Sequence, residues 1–465
     1  MEVSDIDLNI SANDTLFVPE RDPIYSEVSE EEKIHLFHNL GKVGRFVRSC
    51  LQSLMFPLTS TSSYIQNILQ REHWISRDLF WKAPFEDLRY PRHQQIRNYF
   101  VRYDQFVIVK IDNKEIKLKC RVIEPKDCPP EGCLNHLIIQ GNISTLDNNM
   151  PGVYPFLDSY IKEREKNSDM APARFVIFSH YDHKIADTLS QKEEDYLPGD
   201  IDEWGFVYKK AYESLVQQYG KFQLVAGHSL GTIPAIELFK HMKPEEFDTL
   251  FPQTLFFAQG PSSTYEVSKN IPFELECYPF GWAFFGIGLI LHFVCKWTGW
   301  SLELDKTITE KLQAFAQDPA IQDKLKQKHL IATQVKYDFY FPGKAGLCGS
   351  DVLNPIEDTT INFYRMKFNP PLSWGVPRAQ HNYSLGLLQR QDLIQEKVSW
   401  EAEGRRRMHL EDPQKIVELS RSHEFIMRHG ESLADLVLRS AWKDYSMAST
   451  LENRTQVLKE PPSAA

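Results

Sequence analysis

The amino-acid sequence predicts an α/β protein, in which a mostly parallel sheet carries helices on both faces. The main observation is that apolar runs of strand length alternate with segments of helical periodicity over most of the region 136–368. Such alternation favours parallel strands joined by crossover helices. The second observation is composition. With 42% hydrophobic and 25% charged residues among 465, the chain is typical of a globular protein, with one large extended domain or two domains.

The N-terminal part has a different pattern. Residues 1–28 are polar and turn-rich and are expected to be poorly ordered. Ser29 followed by Glu32 is a capping box, which predicts the start of a helix. Apolar residues then recur at helical spacing: Leu36, Leu40, Val43, Val47, Leu51 and Leu54. The sequence therefore predicts a helical N-terminal extension over 1–98.

Strand patterns begin near Phe100. An alternating run at 106–110, the pair Asp112-Asn113 and a second run at 116–122 predict a β-hairpin. Apolar segments predict six further strands, at 136–140, 174–179, 222–226, 249–258, 329–336 and 360–368. Helices are predicted between them, including one from Asp202 as its cap to Gly220, and one over 229–242.

An insertion interrupts this alternation over about 261–328. It contains the apolar run 281–294, GWAFFGIGLILHFV, and then a charged helix predicted over 304–328. The run is shorter than the roughly 20 apolar residues that span a membrane, so it favours a buried or lid helix. Weak contact with a membrane surface is the main alternative, and a true span is the least favoured. The core domain with this cap is predicted over 99–395, and a helical C-terminal extension over 396–465.

Charge and cysteine usage exclude some functions. The net charge of −10, from 63 acidic and 53 basic residues, provides no global basic field for nucleic acid. The seven cysteines are odd in number and scattered, which fits a reducing cytosol. Cys128 and Cys133 are close in sequence, but no second pair follows to complete a zinc site. The acidic N-terminus lacks a secretory signal pattern, so a cytoplasmic location is expected, with peripheral membrane association as an open alternative.

The segment Gly227-His228-Ser229-Leu230-Gly231 is the strongest candidate for chemistry. It follows the predicted strand 222–226 and precedes a helical pattern. Such a turn holds the serine in a strained backbone, with its hydroxyl at the carboxyl edge of the sheet. Small residues at 227 and 231 let the turn approach neighbouring strands, and free N–H groups at the helix start stabilise negative charge. The alternative is an ordinary strand–turn–helix with serine as the cap.

A serine nucleophile needs a general base. In a fold with this strand–turn–helix, the acid and then the histidine follow the serine along the chain. Asp338 comes two residues after the predicted strand 329–336, where it can orient an imidazole. Asp351 and Asp358 are the competitors. His381 follows the last apolar strand and a proline-rich loop, and is the candidate base. The other later histidines lie in helical, surface-like contexts: His409, His423 and His429.

An oxyanion hole needs two backbone donors. The first is Leu230 N–H, directly after the candidate nucleophile. The second is expected in the loop after strand 136–140, where Gly141 allows close approach and Asn142 N–H is the preferred donor. A plain turn is the alternative. His180, Asp182 and His183 could bind a metal, but the sequence places no further ligand with them, so neither a metal nor a cofactor is expected.

These motifs resemble the α/β-hydrolase superfamily over about 100–395. GHSLG at 227–231 matches the family's nucleophile elbow, and 338–342 resembles its acid loop, an Asp followed four residues later by Pro. Residues 140–142 resemble its His-Gly-x oxyanion loop, with Gln140 in place of the usual histidine.

The resemblance implies a serine esterase that cleaves a carboxylic ester through a Ser229–Asp338–His381 triad and an acyl-enzyme. The apolar run at 281–294 modestly favours an acyl or lipid ester, as in lipases. The implied partner is therefore a small-molecule or lipid ester. The alternatives are a thioesterase or acyltransferase with the same triad, and an inactive hydrolase fold that serves as an interaction scaffold.

Overall fold

A computed structural model gives the structure of a large part of the chain. It describes residues 20–29, 32, 93–111, 114–126, 128–129, 132–141, 146–178, 201–261, 300–326, 328–335, 346–347, 352–353, 363–368 and 433–442.

The described residues form one nine-stranded sheet in the order β1-β2-β3-β5-β4-β6-β7-β8-β9. Its strands are β1 (Ile24–Glu27), β2 (Phe100–Ile111), β3 (Lys114–Pro125), β4 (Leu134–Ile139), β5 (Ala173–Phe178), β6 (Phe222–His228), β7 (Thr254–Ala258), β8 (His329–Val335) and β9 (Phe363–Phe368). The helices are α1 (His93–Tyr99), α2 (Leu146–Lys166), α3 (Ile201–Tyr219), α4 (Thr232–Lys240), α5 (Phe247–Leu250), α6 (Trp300–Gln317), α7 (Pro319–Leu325) and α8 (433–442).

The sheet is mostly parallel, as predicted. Only β3 pairs antiparallel, with β2 on one side and β5 on the other, and the remaining neighbours are parallel. Ile111 pairs with Lys114 at the end of the β2–β3 hairpin, so the connection is the Asp112-Asn113 pair that the sequence indicated.

Helices cover both faces of the sheet, which confirms the predicted fold class. On one face, buried side chains of α3, α4, α6 and α7 join those of the strands in one apolar cluster. On the other face, α1, α2 and α8 do the same. The strands between them are almost fully buried, as expected for a sheet covered on two sides.

The order of strands reverses at β4. From β4, helix α2 carries the chain to β5 on one side, and α3 then carries it back to β6 on the other side. The connections that leave β4 and β6 therefore diverge onto opposite faces. Ligands of open α/β sheets bind at such a reversal, outside the carboxyl ends of the strands.

Several local predictions are corrected by the structure. The expectation of poor order over 1–28 is wrong for Ile24–Glu27, which forms β1 and pairs in parallel with β2. Asp202 lies inside α3 instead of capping it, because the helix begins at Ile201. The strand predicted over 249–258 begins only at Thr254, since 247–250 form α5. The charged helix predicted over 304–328 is two helices, which break at Asp318 before Pro319.

The cap predicted over about 261–328 stays a prediction for 262–299, which lie outside the described residues. The part from 300 onward packs on the sheet: Leu312 and Phe315 of α6 and Ile321 of α7 belong to the main core. None of the helices in the described ranges is long and apolar enough to cross a membrane. The apolar run 281–294 is outside those ranges. Domain limits at 98/99 and 395/396 also stay predictions.

Candidate active site

Ser229 lies one residue beyond the carboxyl end of β6, at the strand-order reversal. It opens a 3-10 turn that ends at Gly231, and α4 begins at Thr232. Its φ is 53°, a left-handed conformation that costs a non-glycine residue about 1–3 kcal/mol. This strand–turn–helix with a strained serine has the geometry in which a nucleophile elbow holds its serine. The serine is largely buried, at 9% exposure.

The glycines on both sides of the serine lie where no side chain fits. A Cβ at Gly231 would be 2.4 Å from the carbonyl oxygens of both Ile139 and Gln140, at the end of β4. A Cβ at Gly227 would be 2.6 Å from Thr232 Cα. The Thr232 hydroxyl donates to the Gly227 carbonyl at 3.3 Å and closes the turn. The elbow is therefore pressed against the strand that precedes the predicted oxyanion loop.

Gly141 is in direct contact with the serine. A Cβ at Gly141 would lie 2.5 Å from Ser229 Cβ, 3.0 Å from Ser229 Oγ and 3.1 Å from the His228 carbonyl oxygen. The backbone after β4 can come this close to the hydroxyl only because residue 141 has no side chain. Leu230, the other predicted donor, lies in the middle of the 3-10 turn.

A second strained residue lies beside the first. Gln259 follows β7 as Ser229 follows β6, and its φ is 55°. His228 pairs with Ala258 across the sheet. The residues that follow them, Ser229 and Gln259, are therefore neighbours at the carboxyl edge of the sheet. They are the only non-glycine residues with positive φ in the described part of the chain. Gln259 N–H donates to the Thr333 carbonyl at 2.9 Å, which anchors it to β8. Sequence reasoning missed Gln259, because glutamine carries no preference for this conformation.

Buried polar side chains form a row across the sheet at this edge. His228 pairs with Ala258 and Ala258 with Thr333, while Gln140 extends β4 beside His228. Gln140, His228 and Thr333 are each at most 1% exposed. Within the described residues, the Gln140 amide and the Thr333 hydroxyl have no hydrogen-bond partner. Because buried polar groups are rarely left unpaired, this row indicates a polar environment next to the elbow. In the sequence, the only indication of this row was Gln140, which stands in place of the usual histidine of the oxyanion loop.

Three of the predicted site residues lie outside the described residues: Asn142, Asp338 and His381. The same holds for the rival acids and bases and for the candidate metal ligands of the 180–183 loop. In the described ranges, no group of three or more His, Cys, Asp or Glu side chains could hold a metal ion. A groove of about 540 Å³ lies beside β1, with Arg21, Gln105 and Gln218 among its lining residues, and is five strands away from β6.

Comparison with known proteins adds only distant likenesses. No family model and no curated protein matches the sequence. Among solved structures, an esterase from Pyrococcus furiosus shares 10% identity over 68% of this chain and 92% of its own, with a TM-score of 0.33. Est1E from Butyrivibrio proteoclasticus shares 12% identity over 68% of this chain and 99% of its own, with a TM-score of 0.32. A thermostable esterase from Pseudomonas putida shares 14% identity over 63% of this chain and 79% of its own, with a TM-score of 0.35. These values are too low to assign a family.

Proposed function

We propose that this protein is a serine hydrolase that cleaves a carboxylic ester through an acyl-enzyme. The observation that carries the proposal is the contact between Ser229, strained at φ 53°, and the side-chain-free backbone at Gly141. A serine held in this way, with backbone from a second loop against its hydroxyl, has the layout of a nucleophile beside an oxyanion hole. A capping serine would need neither the strained φ nor the close glycine.

In the proposed reaction, Ser229 Oγ attacks the ester carbonyl carbon while His381 takes its proton. Asp338 orients the imidazole and stabilises its charged form. The N–H groups of Leu230 and Asn142 bind the oxyanion. His381 returns the proton to the leaving alcohol, and water then hydrolyses the acyl-enzyme by the reverse sequence. No metal or organic cofactor enters this scheme.

A fluorophosphonate probe tests the nucleophile directly. Covalent labelling of the full-length protein should map to Ser229 by mass spectrometry and should disappear in Ser229→Ala. A matched control is Ser214→Ala, because Ser214 is a buried serine whose hydroxyl donates to the Lys210 carbonyl on α3. Labelling in this control should be unchanged. A Ser229→Ala protein that folds and still hydrolyses a short-chain ester at the wild-type rate would refute the mechanism.

The acid and the base are tested by paired substitutions. Loss of a triad member lowers kcat by about 10⁴–10⁶, so His381→Ala should approach Ser229→Ala, and Asp338→Asn should be somewhat milder. The combined variants should lose no more than the worst single one, because a triad acts as a unit. His409→Ala and Asp351→Asn are the controls and should retain activity. If they lose it while His381→Ala and Asp338→Asn do not, these two assignments fail.

The substrate is proposed to be an acyl or lipid ester, on the basis of the apolar run 281–294. Turnover should increase with acyl chain length in a series of p-nitrophenyl esters. Replacing Leu289 and Phe293 by Asp should reduce liposome binding, and long-chain turnover more than short-chain turnover. Equal losses for all chain lengths, together with a lower Tm, would instead assign the run to the core.

A parallel series of acyl thioesters separates an esterase from a thioesterase.

A further inference from the structure

Two cysteines meet at the edge of the sheet opposite the elbow. Cys128 and Cys133 lie in the connection between β3 and β4, next to the amino ends of β4 and β5. Gly132, directly before Cys133, has a φ of 81° and open space around it. This left-handed turn brings the chain back, so that the side chains of Cys128 and Cys133 are close enough to interact.

A single guanidinium contacts Cys128 and the carbonyl group that Cys133 contacts. Arg174 Nη2 donates to Cys128 Sγ at 3.6 Å and to the Pro129 carbonyl oxygen at 3.2 Å. The Cys133 thiol donates to the same carbonyl oxygen at 3.1 Å. Both thiols therefore lie around one carbonyl group and one positive charge.

Arg174 is held rigidly in this position. Its Nε donates to Glu124 Oε2 at 2.6 Å, and its Nη1 donates to Asn135 Oδ1 at 3.1 Å. The guanidinium also lies over the Tyr219 ring, 4.3 Å from the centroid. The side chain is only 3% exposed, so the positive charge next to the thiols is permanent and little screened.

These surroundings make one of the two thiols more acidic. The hydrogen bond with Cys128 lowers the pKa of Cys133, and the charge of Arg174 lowers it further, against burial and the negative Glu124. A thiolate next to a cation is the reactive form of cysteine. Cys120 differs from this pair. Burial within β3 raises the pKa of its thiol, and among the described residues no basic side chain donates a hydrogen bond to its sulfur.

We propose that Cys128 and Cys133 are a redox-active dithiol that closes reversibly to an intramolecular disulfide. With a small-molecule disulfide as oxidant, the protein thiolate attacks one sulfur of the oxidant and expels a thiolate. The second protein sulfur then attacks the first and expels the other half. The protein loses two electrons and two protons, which leave as two small-molecule thiols. In a reducing compartment the pair would be open, and it would close on oxidation.

Mass spectrometry of the full-length protein tests the proposal without reference to hydrolase activity. The segment 127–162 follows Lys126 and ends at Lys162, so trypsin releases both cysteines in one peptide, with no third cysteine. After oxidised glutathione and then iodoacetamide, this peptide should be lighter by two hydrogen atoms and carry no alkyl group. Dithiothreitol should restore two alkylation sites. The internal control is Cys120, which should stay reduced and glutathione-free.

Single variants separate disulfide closure from simple adduct formation. In Cys128→Ser and in Cys133→Ser, the remaining thiol has no partner to resolve a mixed disulfide. A glutathione adduct should therefore accumulate in at least one variant and be absent from the wild type. Two free thiols in the oxidised wild-type protein, or a lasting glutathione adduct on it, would overturn the proposal.

Discussion

Trp442 Nε1–H donates a hydrogen bond of 2.8 Å to His136 Nε2, across 306 positions of the chain. The other ring nitrogen of His136, Nδ1, lies 3.2 Å from the Arg174 carbonyl oxygen. Both bonds form together only if Nδ1 carries the proton and Nε2 carries none. The imidazole is therefore neutral. The hydrogen bond that holds α8 against the centre of the sheet forms only in this neutral state.

This pair makes the stability of the protein depend on pH. Burial lowers the pKa of His136 to about 3, from 6.5 in an unfolded chain. Between these values the unfolded chain binds more protons than the folded one, so acidification favours unfolding. The free energy of unfolding should fall by up to about 1.4 kcal/mol for each pH unit below 6.5. Urea unfolding at pH 7 and pH 5 measures the change.

The matched variant for this prediction is His136→Gln, which keeps an acceptor for Trp442 but does not titrate. Its stability should depend less on pH than that of the wild type between pH 7 and 5. Parallel curves for the two proteins would show that His136 does not contribute.

Gly141→Ala should reduce turnover by at least tenfold. The new methyl group would lie 2.5 Å from Ser229 Cβ and 3.0 Å from its Oγ, so either the serine or the loop after β4 must shift. A displacement of this kind is costly at a reacting centre. Steady-state kinetics and a fluorophosphonate labelling rate measure the loss.

Gly260→Ala is the control for Gly141→Ala. Its Cβ would also be crowded beside the elbow, at 2.9 Å, but against the Thr232 side chain and not the serine. We expect a lower Tm with kcat largely retained. Equal losses of kcat in the two variants would mean that crowding anywhere near the elbow lowers turnover, and that the contact between Gly141 and Ser229 has no special role.

Relief of backbone strain should be measurable at Gln259. Gln259→Gly and Gln259→Ala remove the same side-chain interactions, but only glycine adopts φ 55° without steric cost. The glycine variant should be more stable than the alanine variant by about 1 kcal/mol. Chemical denaturation of both proteins gives the difference. A more stable alanine variant would contradict the strain assigned to this position.

The buried ion pair of Glu237 and Lys311 should be sensitive to removal of one partner. Lys311 Nζ lies 3.3 Å from Glu237 Oε2, and the side chains are 6% and 0% exposed. Glu237→Gln removes the negative charge that lies closest to this buried ammonium in the ion pairs described, and should cost about 3–5 kcal/mol. The double variant Glu237→Gln with Lys311→Met should recover part of this loss. Thermal and urea unfolding provide the values, and Lys166→Ala, at an exposed pair, should change little.

Much of the sheet could be predicted from local sequence. Asp112-Asn113 between two alternating runs was sufficient for the hairpin, and glycines on both sides of Ser229 were sufficient for the elbow. β1 could not be predicted, because it has four residues of which only one is buried, and its pairing partner β2 begins more than 70 residues later. Edge strands of this kind depend on tertiary context more than on their own residues.

The site was predictable to a smaller extent. The juxtaposition of Gly141 and Ser229 followed from the motif and from the expected parallel sheet. The left-handed Gln259 could not be found, since its backbone is fixed by a hydrogen bond to β8 and not by local preference. The same is true of Trp442, which reads as one more helical apolar residue until its partner on β4 is known.

The position of α8 near the end of the chain also affects how this protein folds during synthesis. The face that α8 covers includes β4, β6 and β7, whose residues leave the ribosome well before residues 433–442. Until α8 emerges, part of that apolar face has no cover, and exposed surface of this kind promotes aggregation of nascent chains. A chain that stops before residue 433 should therefore be recovered mainly in inclusion bodies, even though the elbow and every strand of the sheet precede the missing helix.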